Sequence, residues 1–158
     1  MKLLAIRKYP DKILRQKCRM VAKVTGREKE LLNSMFLTMK YFDGIGLAGP
    51  QAGVAENLVV ADVEGKIIKL VNPRILKLSG KDVIREGCLS LPGLSVDVKR
   101  PLEAVVEGLN ENGQVLEIKA KGLLARVLQH EIDHLSGKMI VDYLPFLRKT
   151  KFYFTHGR

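Results

Sequence analysis

The sequence of 158 residues lacks the features that mark membrane, secreted and disulfide-stabilised proteins. No apolar run is longer than a few residues, and the apolar part of residues 1–7 is too short for a signal peptide. We therefore expect no membrane association and a cytoplasmic location. Two cysteines, Cys18 and Cys88, are too few for a disulfide framework. Repeats, low-complexity segments and linkers are also missing, which predicts one domain over residues 1–158.

Basic residues exceed acidic ones, 27 to 17, which gives a formal net charge of +10. Such a charge attracts polyanions, but the basic residues are scattered and no nucleic-acid-binding motif accompanies them. We expect no sequence-specific nucleic-acid partner. Ribosome association through the basic surface and a monomeric state are further expectations.

Hydrophobic spacing predicts an α+β fold. Residues 25–28 form a capping-box pattern, and the apolar residues after them predict a helix of about four turns that ends near Gly44. Five β-rich runs follow: 58–61, 67–71, 75–78, 94–98 and 104–109. Asn112-Gly113 predicts a tight antiparallel hairpin, and residues 122–135 return to helical spacing. We expect antiparallel sheets packed around this last, central helix, and a short tail from Leu144.

The central helix carries the pattern H-E-x-x-H, formed by His130, Glu131 and His134. The i, i+4 spacing places both imidazoles on one face, where they can bind a single metal ion. Glu131 lies beside them and is suited to accept a proton from water and return it to a leaving group. The alternative, a solvated helix with two incidental histidines, is disfavoured because the flanking residues are apolar.

A third protein ligand must come from elsewhere in the chain. Asp142 and His156 lie downstream but do not match the extended H-E-x-x-H-x-x-G-x-x-H spacing. Cys88 is the better candidate, because Gly87 permits close backbone approach and a thiolate can lie about 2.3 Å from the ion. Cys88 lies between predicted strands; without a metal site it would be interpreted as a buried core thiol.

Residues 44–49 satisfy G-x-G-x-x-G, and Glu64 lies about 20 residues from the start of the motif, as in dinucleotide-binding sequences. We reject that interpretation because a predicted helix precedes the motif and Pro50 follows it, whereas a dinucleotide site needs a strand before and a helix after. Bare extended backbone can instead pair with a peptide by strand addition, and Gln51 supplies an amide donor. An ordinary turn after a helix is the alternative.

Three segments together resemble the signature motifs of the peptide deformylase family, in the family's order and at similar spacing. They are Gly44-Ile45-Gly46-Leu47-Ala48-Gly49-Pro50-Gln51, Glu86-Gly87-Cys88-Leu89-Ser90 and Gln129-His130-Glu131-Ile132-Asp133-His134-Leu135. The resemblance runs from about Tyr9 to Tyr143. It implies an enzyme that removes the formyl group from N-formylmethionine at the start of nascent polypeptides and releases formate.

The resemblance also implies roles for individual residues. Three residues would hold the metal, with water in the fourth position: Cys88, His130 and His134. Glu131 would act as general base and acid, while the Gln51 side chain and the backbone N–H of Leu89 would bind the formyl oxygen. Backbone groups of three residues would pair with the peptide: Ile45, Gly46 and Gly87.

Helix geometry adds a prediction of its own. Leu123 and Val127 share the helix face of the two histidines, so we infer that they help form an apolar pocket for the methionine side chain. Plain core packing is the alternative. Arg126 is expected to be solvated, and Cys18 is expected to be dispensable.

The metal cannot be identified from its ligands, because one thiolate and two imidazoles suit zinc, iron, nickel or cobalt. The family implies Fe²⁺ as the physiological ion, with Zn²⁺, Ni²⁺ or Co²⁺ able to substitute.

The sequence departs from the family pattern at two places. Gly49 replaces the usual alanine and is expected to loosen the backbone before Gln51, and the tail after Leu144 is shorter than the C-terminal helix of many bacterial members.

Two other functions fit part of the pattern. An H-E-x-x-H metallopeptidase would cleave an internal amide or an unformylated peptide. A non-enzymatic basic RNA-binding module would use the metal only for structure, and a structural zinc site is closed by four protein ligands.

Overall fold

Three α-helices and seven β-strands make up the computed structural model, which describes residues 2–157. The helices are α1 (Gly26–Tyr41), α2 (Gly122–Leu135) and α3 (Phe146–His156). The strands are β1 (Gly46–Ala48), β2 (Leu58–Val63), β3 (Lys66–Ser79), β4 (Asp82–Gly87), β5 (Ser95–Arg100), β6 (Glu103–Leu109) and β7 (Val115–Lys121). The predicted α+β class is confirmed.

All strand pairs are antiparallel, as predicted. Five strands form one sheet in the order β1-β2-β3-β6-β7, and β4 pairs with β5 in a separate ribbon. The predicted strands 67–71 and 75–78 are wrong as separate elements, because β3 runs through both with irregularities near Pro73 and Leu76. β1 and β4 were not predicted as strands. β1 has only three residues, and β4 is largely exposed and lacks a clear alternation of apolar and polar residues.

Helix α2 is central because its apolar residues pack against the five-stranded sheet. Leu124, Ala125 and Leu128 are buried in a core cluster with side chains of β2, β3, β6 and β7. Cys18 is buried in the same cluster, and burial raises the pKa of its thiol to about 11. A protonated, enclosed thiol is unreactive, which is consistent with the expectation that Cys18 is dispensable.

Two local features differ from the sequence prediction. The hairpin between β6 and β7 has a longer loop than a tight two-residue turn, and the Asn110 side chain accepts hydrogen bonds from the backbone N–H groups of Asn112 and Gln114. The C-terminal tail contains helix α3, whose Phe152 ring packs on Tyr9 with centroids 5.2 Å apart.

Every helix within residues 2–157 is too short or too polar to span a bilayer.

The capping box of α1 generates a stability prediction. The Thr25 hydroxyl accepts from Arg27 N–H, and the Glu28 carboxylate accepts from Thr25 N–H at 2.8 Å. Thr25→Ala should lower the free energy of unfolding by about 1 kcal/mol, because it leaves helix N–H groups without acceptors. Urea titration measures this, with the exposed Thr155→Ala as the control. Equal stability of the two variants would contradict the assigned role of the cap.

The same cap has a predicted pH dependence. The hydrogen bond from the Thr25 hydroxyl lowers the pKa of Glu28 to about 2. Since the folded pKa lies below the unfolded value of about 4.3, the stabilisation is present above pH 4.3 and is lost as the pH falls towards 2. Thr25→Ala should therefore flatten the decline of stability between these pH values.

Candidate metal centre

Three ligand atoms from two distant parts of the chain meet at one end of α2. Cys88 follows β4 directly, and His130 and His134 lie one turn apart on α2. The Cys88 Sγ lies 3.3 Å from His134 Nε2, and the two Nε2 atoms lie 3.2 Å apart. All three atoms are within 4.8 Å of one another.

This spacing fits one tetrahedral metal ion. Metal–nitrogen bonds of 2.0–2.1 Å place two tetrahedral nitrogen ligands about 3.3 Å apart, and a 2.3 Å sulfur bond gives a sulfur–nitrogen separation of about 3.5 Å. Within residues 2–157, no fourth Cys, His, Asp or Glu joins the group. Asp142 is bound to Arg15, and the His156 ring stacks on Phe152. The donor set therefore resembles a catalytic site with one free position rather than a closed structural site.

Glu86 fixes the orientation of His130. The His130 Nδ1 lies 2.9 Å from Glu86 Oε2, so the Nδ1–H is donated to the carboxylate and Nε2 is left to face the metal position. Burial, followed by the nearby His130, lowers the pKa of His134 well below its ordinary value. The Nδ1 of His134 is buried and has no hydrogen-bond partner in the described part of the chain.

Glu86 also binds two buried arginines. Arg100 donates to both carboxylate oxygens at 2.7 and 3.1 Å, and Arg126 donates to Oε1 at 2.6 Å. Burial by itself raises the pKa of Glu86, but the hydrogen bonds from His130 and Arg100 outweigh burial and lower it to about 2. The expectation that Arg126 is solvated was wrong, because its side chain is buried and fully engaged with Glu86 and the Val98 carbonyl.

This ion-pair network continues along α2 to Asp133, which lies next to His134 in sequence. Arg100 donates to Asp133 Oδ2 at 2.8 Å and to the Tyr143 hydroxyl at 3.0 Å, and that hydroxyl donates to Asp133 at 2.6 Å. This network was not predicted from the sequence. One signal was available: Arg126 lies four residues before His130, so helical spacing places both on the side that meets Glu86.

Glu131 lies against bare backbone. A Cβ atom on Gly46 would lie 2.3 Å from Glu131 Oε1, so only glycine permits this approach. Burial raises the pKa of the Glu131 carboxyl to about 7. Its Oε2 atom is buried and has no hydrogen-bond partner among residues 2–157, so this carboxylate can still bind a further group.

The Gln51 amide has a fixed orientation. Its Oε1 accepts the Ala48 N–H at 2.8 Å, so its Nε2 points to the metal position, where it lies 3.4 Å from Cys88 Sγ. Gly49 does not loosen this segment, contrary to expectation. A Cβ on Gly49 would lie 2.5 Å from the Glu56 carbonyl oxygen, and the Gly49 carbonyl accepts from Val54 N–H at 2.9 Å. The glycine lets the backbone pack closely.

A cleft of about 400 Å³ brings the predicted site residues together. Those that line it are Ile45, Gly46, Gln51, Gly87, Cys88, Leu89, Leu123, Val127, His130 and Glu131. The remaining predicted site residue, His134, does not line the cleft and is 1% exposed. Leu123 is 45% exposed at the cleft, whereas Val127 is buried beside it.

Two unpaired strand edges border this cleft. β1 pairs only with β2, and β4 pairs only with β5. The Ile45 carbonyl accepts from Asp62 N–H, so it faces β2. Neighbouring residues of a strand direct their backbone N–H and C=O groups to opposite sides. The N–H and C=O groups of Gly46 therefore face away from β2. A peptide lying between Gly46 and Gly87 could pair with both edges.

Residues 3–150 match the family model described as polypeptide deformylase. The chain belongs to this family. It is thus a metal-dependent hydrolase of the class that removes the formyl group from N-formylmethionine peptides.

Individual relatives agree with this assignment. A peptide deformylase of Thermodesulfovibrio yellowstonii is 43% identical over 157 residues, which are 96% of this chain and 95% of the relative. The Ehrlichia chaffeensis peptide deformylase in complex with actinonin superposes with a TM-score of 0.91 at 36% identity, covering 100% of both chains. A Met-Ala-Ser-bound class I type b peptide deformylase of Acinetobacter baumannii gives 0.86 at 28% identity, covering 90% of this chain and 98% of the other.

The contact between Gly46 and Glu131 generates a prediction. Gly46→Ala should displace the Glu131 carboxylate and lower kcat for formate release by about 100-fold, since displacement of a reacting group by about 1 Å can have that effect. Bound metal should be unchanged. Gly26→Ala is the control, because a Cβ at Gly26 meets no atom within 4 Å. Full activity of Gly46→Ala would show that the carboxylate has room to move.

The contacts of Glu86 generate a second prediction. Glu86→Gln should weaken metal binding by roughly 10- to 100-fold, because the His130 ring loses its carboxylate partner. It should also lower stability, because the buried Arg126 loses its 2.6 Å ion pair with Glu86. Competition with a chromophoric chelator measures the metal affinity, and urea titration measures stability. Wild-type metal affinity would refute the orienting role of Glu86.

Proposed function

We propose that this chain hydrolyses the formyl group of N-formylmethionyl nascent peptides with the residues of the cleft in the roles given below. The observation that carries the proposal is the convergence of four groups on one position. They are the Cys88–His130–His134 donor set, the unpaired Glu131 oxygen, the oriented Gln51 amide and the two free strand edges.

Cys88, His130 and His134 would hold one divalent ion, with Fe²⁺ as the physiological metal and Zn²⁺, Ni²⁺ or Co²⁺ as substitutes. When bound, such an ion acidifies a water molecule and polarises a carbonyl group. The mixed sulfur and nitrogen donors support this range of metals.

Glu131 would move the proton. Its carboxylate is buried beside the metal position, and its Oε2 has no protein partner to compete with water. It would accept the proton from water as the formyl carbon is attacked, and return it to the nitrogen of methionine as the C–N bond breaks. Formate and a free α-amino group are the products.

Gln51 and Leu89 would bind the formyl oxygen. The Ala48 N–H holds the Gln51 carbonyl, so the Nε2–H is the group presented to substrate. With the backbone N–H of Leu89 it would stabilise the negative charge that develops on the oxygen, and loss of one such donor costs about 2.7–4 kcal/mol of barrier.

The peptide would bind as an added strand through backbone groups of Ile45, Gly46 and Gly87. Because the Ile45 carbonyl faces β2, Gly46 is the better placed partner on that edge. Leu123 and Val127 would contact the methionine side chain from α2.

The wider setting is also a proposal. Residues 1–158 would act as one catalytic domain and as a monomer in the cytoplasm, without membrane association or sequence-specific nucleic-acid binding. The charge of +10 supports association with the ribosome through the basic surface.

Two variants test the roles. Protein loaded anaerobically with Fe²⁺ or Ni²⁺ should release formate from formyl-Met-Ala-Ser and should not cleave unformylated Met-Ala-Ser. Glu131→Gln should retain the metal and lose nearly all turnover, whereas Cys88→Ala should lose the metal. Cys18→Ala is the matched control and should bind metal and turn over normally.

Three outcomes would count against the proposal. Cleavage of the unformylated peptide would favour a metallopeptidase. Ordinary turnover by Glu131→Gln would remove the assigned proton carrier. Retained metal in Cys88→Ala would remove the thiolate from the ligand set.

A further inference from the structure

The ribbon of β4 and β5 has two chemically different faces. Its inner face carries buried residues of both strands: Glu86, Val96, Val98 and Arg100. Its outer face pairs Gly87 with Ser95, Arg85 with Asp97, and Val83 with Lys99, and these side chains are exposed. Arg85 and Gly87 thus lie on the same outer face of the strand whose free edge borders the cleft.

The Arg85 side chain is exposed on this outer face. Within residues 2–157 it makes neither an ion pair nor a side-chain hydrogen bond, although Asp97 lies opposite it on β5. The nearby Arg100 and Arg126, in contrast, are both held by Glu86. Gly87 leaves the surface between Arg85 and Cys88 bare, since a Cβ there would meet nothing closer than the Leu94 carbonyl oxygen at 4.0 Å.

The orientation of a bound peptide, described next, rests on the proposed function. A peptide added to the β4 edge has side chains that alternate between the two faces of the sheet. If the methionine side chain points inward to Leu123 and Val127, the second residue must point outward. On that face its nearest side chain along β4 is Arg85, because Gly87 has none.

We propose that Arg85 is a specificity-determining residue that favours formyl-Met peptides with an acidic second residue. Opposite charges on neighbouring strands attract when they share a face. The pair is exposed, so the selectivity is modest and decreases as salt is added.

Two opposing charges must be considered. Asp97 is opposite Arg85 on β5 but does not line the cleft. Asp43 lies at the same cleft, three residues before Gly46, and has no ion pair within the described chain. It belongs to the other wall, next to the five-stranded sheet, whereas the outward second residue lies beside the β4 ribbon. Of the paired charges Arg85 and Asp97 on that outer face, Arg85 lines the cleft and Asp97 does not, so Arg85 is the charge that this side chain meets first.

The test compares substrates that differ in one charge. Values of kcat/KM are measured for formyl-Met-Glu-Ser and its neutral isostere formyl-Met-Gln-Ser, at low and high ionic strength. The enzymes are the wild type, Arg85→Gln, Asp43→Asn and the matched control Lys99→Gln. Lys99 lies on the same outer face but away from the cleft.

The wild type should prefer the Glu peptide by about two- to five-fold at low salt, the range expected of an exposed ion pair. The preference should vanish in Arg85→Gln and at high ionic strength, and it should persist in Lys99→Gln. Hydrolysis of the Gln peptide should be similar in all four proteins.

Several results would overturn the inference. An unchanged Glu preference in Arg85→Gln would do so, as would an equal loss in Lys99→Gln, which would indicate a general charge effect. A change of the Glu preference in Asp43→Asn alone would show that Asp43, rather than Arg85, determines the selectivity. If no protein releases formate even from the Gln peptide, the proposed function fails instead.

Discussion

The carboxylate of Glu86 is the interaction on which the rest of the site depends. It comes from the end of β4, yet it binds His130 of α2 and two arginines that come from β5 and α2. A carboxylate buried in this way is tolerated only because each oxygen has charged donors. The same bonds join the small ribbon to the central helix, so one residue holds together the two elements that supply the metal ligands.

The position of Cys88 follows from this arrangement. Cys88 lies two residues after Glu86, so anchoring the carboxylate to α2 also brings the thiol near the two imidazoles. The fold and the metal site are thus coupled. The ion pairs that hold the end of β4 against α2 also set the distance between the Cys88 sulfur and the ring nitrogens of the two histidines.

Much of the site could be predicted because its chemistry is local in sequence. The spacing of His130 and His134 defines a shared helix face without any knowledge of the sheets, and α2 has the predicted bounds. The capping box likewise gave the start of α1 from four residues. These signals depend on neighbours within one or two turns of the chain.

Features that depend on distant partners could not be predicted. Arg126 was expected in solvent because nothing near it in sequence neutralises it; its acceptor lies on another element. Gly49 was expected to loosen the backbone, but its neighbours are the carbonyl groups of a loop that returns over it. Strand β4 lacks a clear alternating pattern because it is largely exposed and carries Glu86 inward.

The short length of β1 has a consequence for how broadly the enzyme can act. A strand of three residues offers an incoming chain only a few amide groups, and backbone pairing is indifferent to side chains. Backbone pairing along this edge can therefore involve only a few residues of the incoming chain. A site that relies on such pairing does not select strongly among side chains, and it tolerates polypeptides that differ in sequence after their first residue.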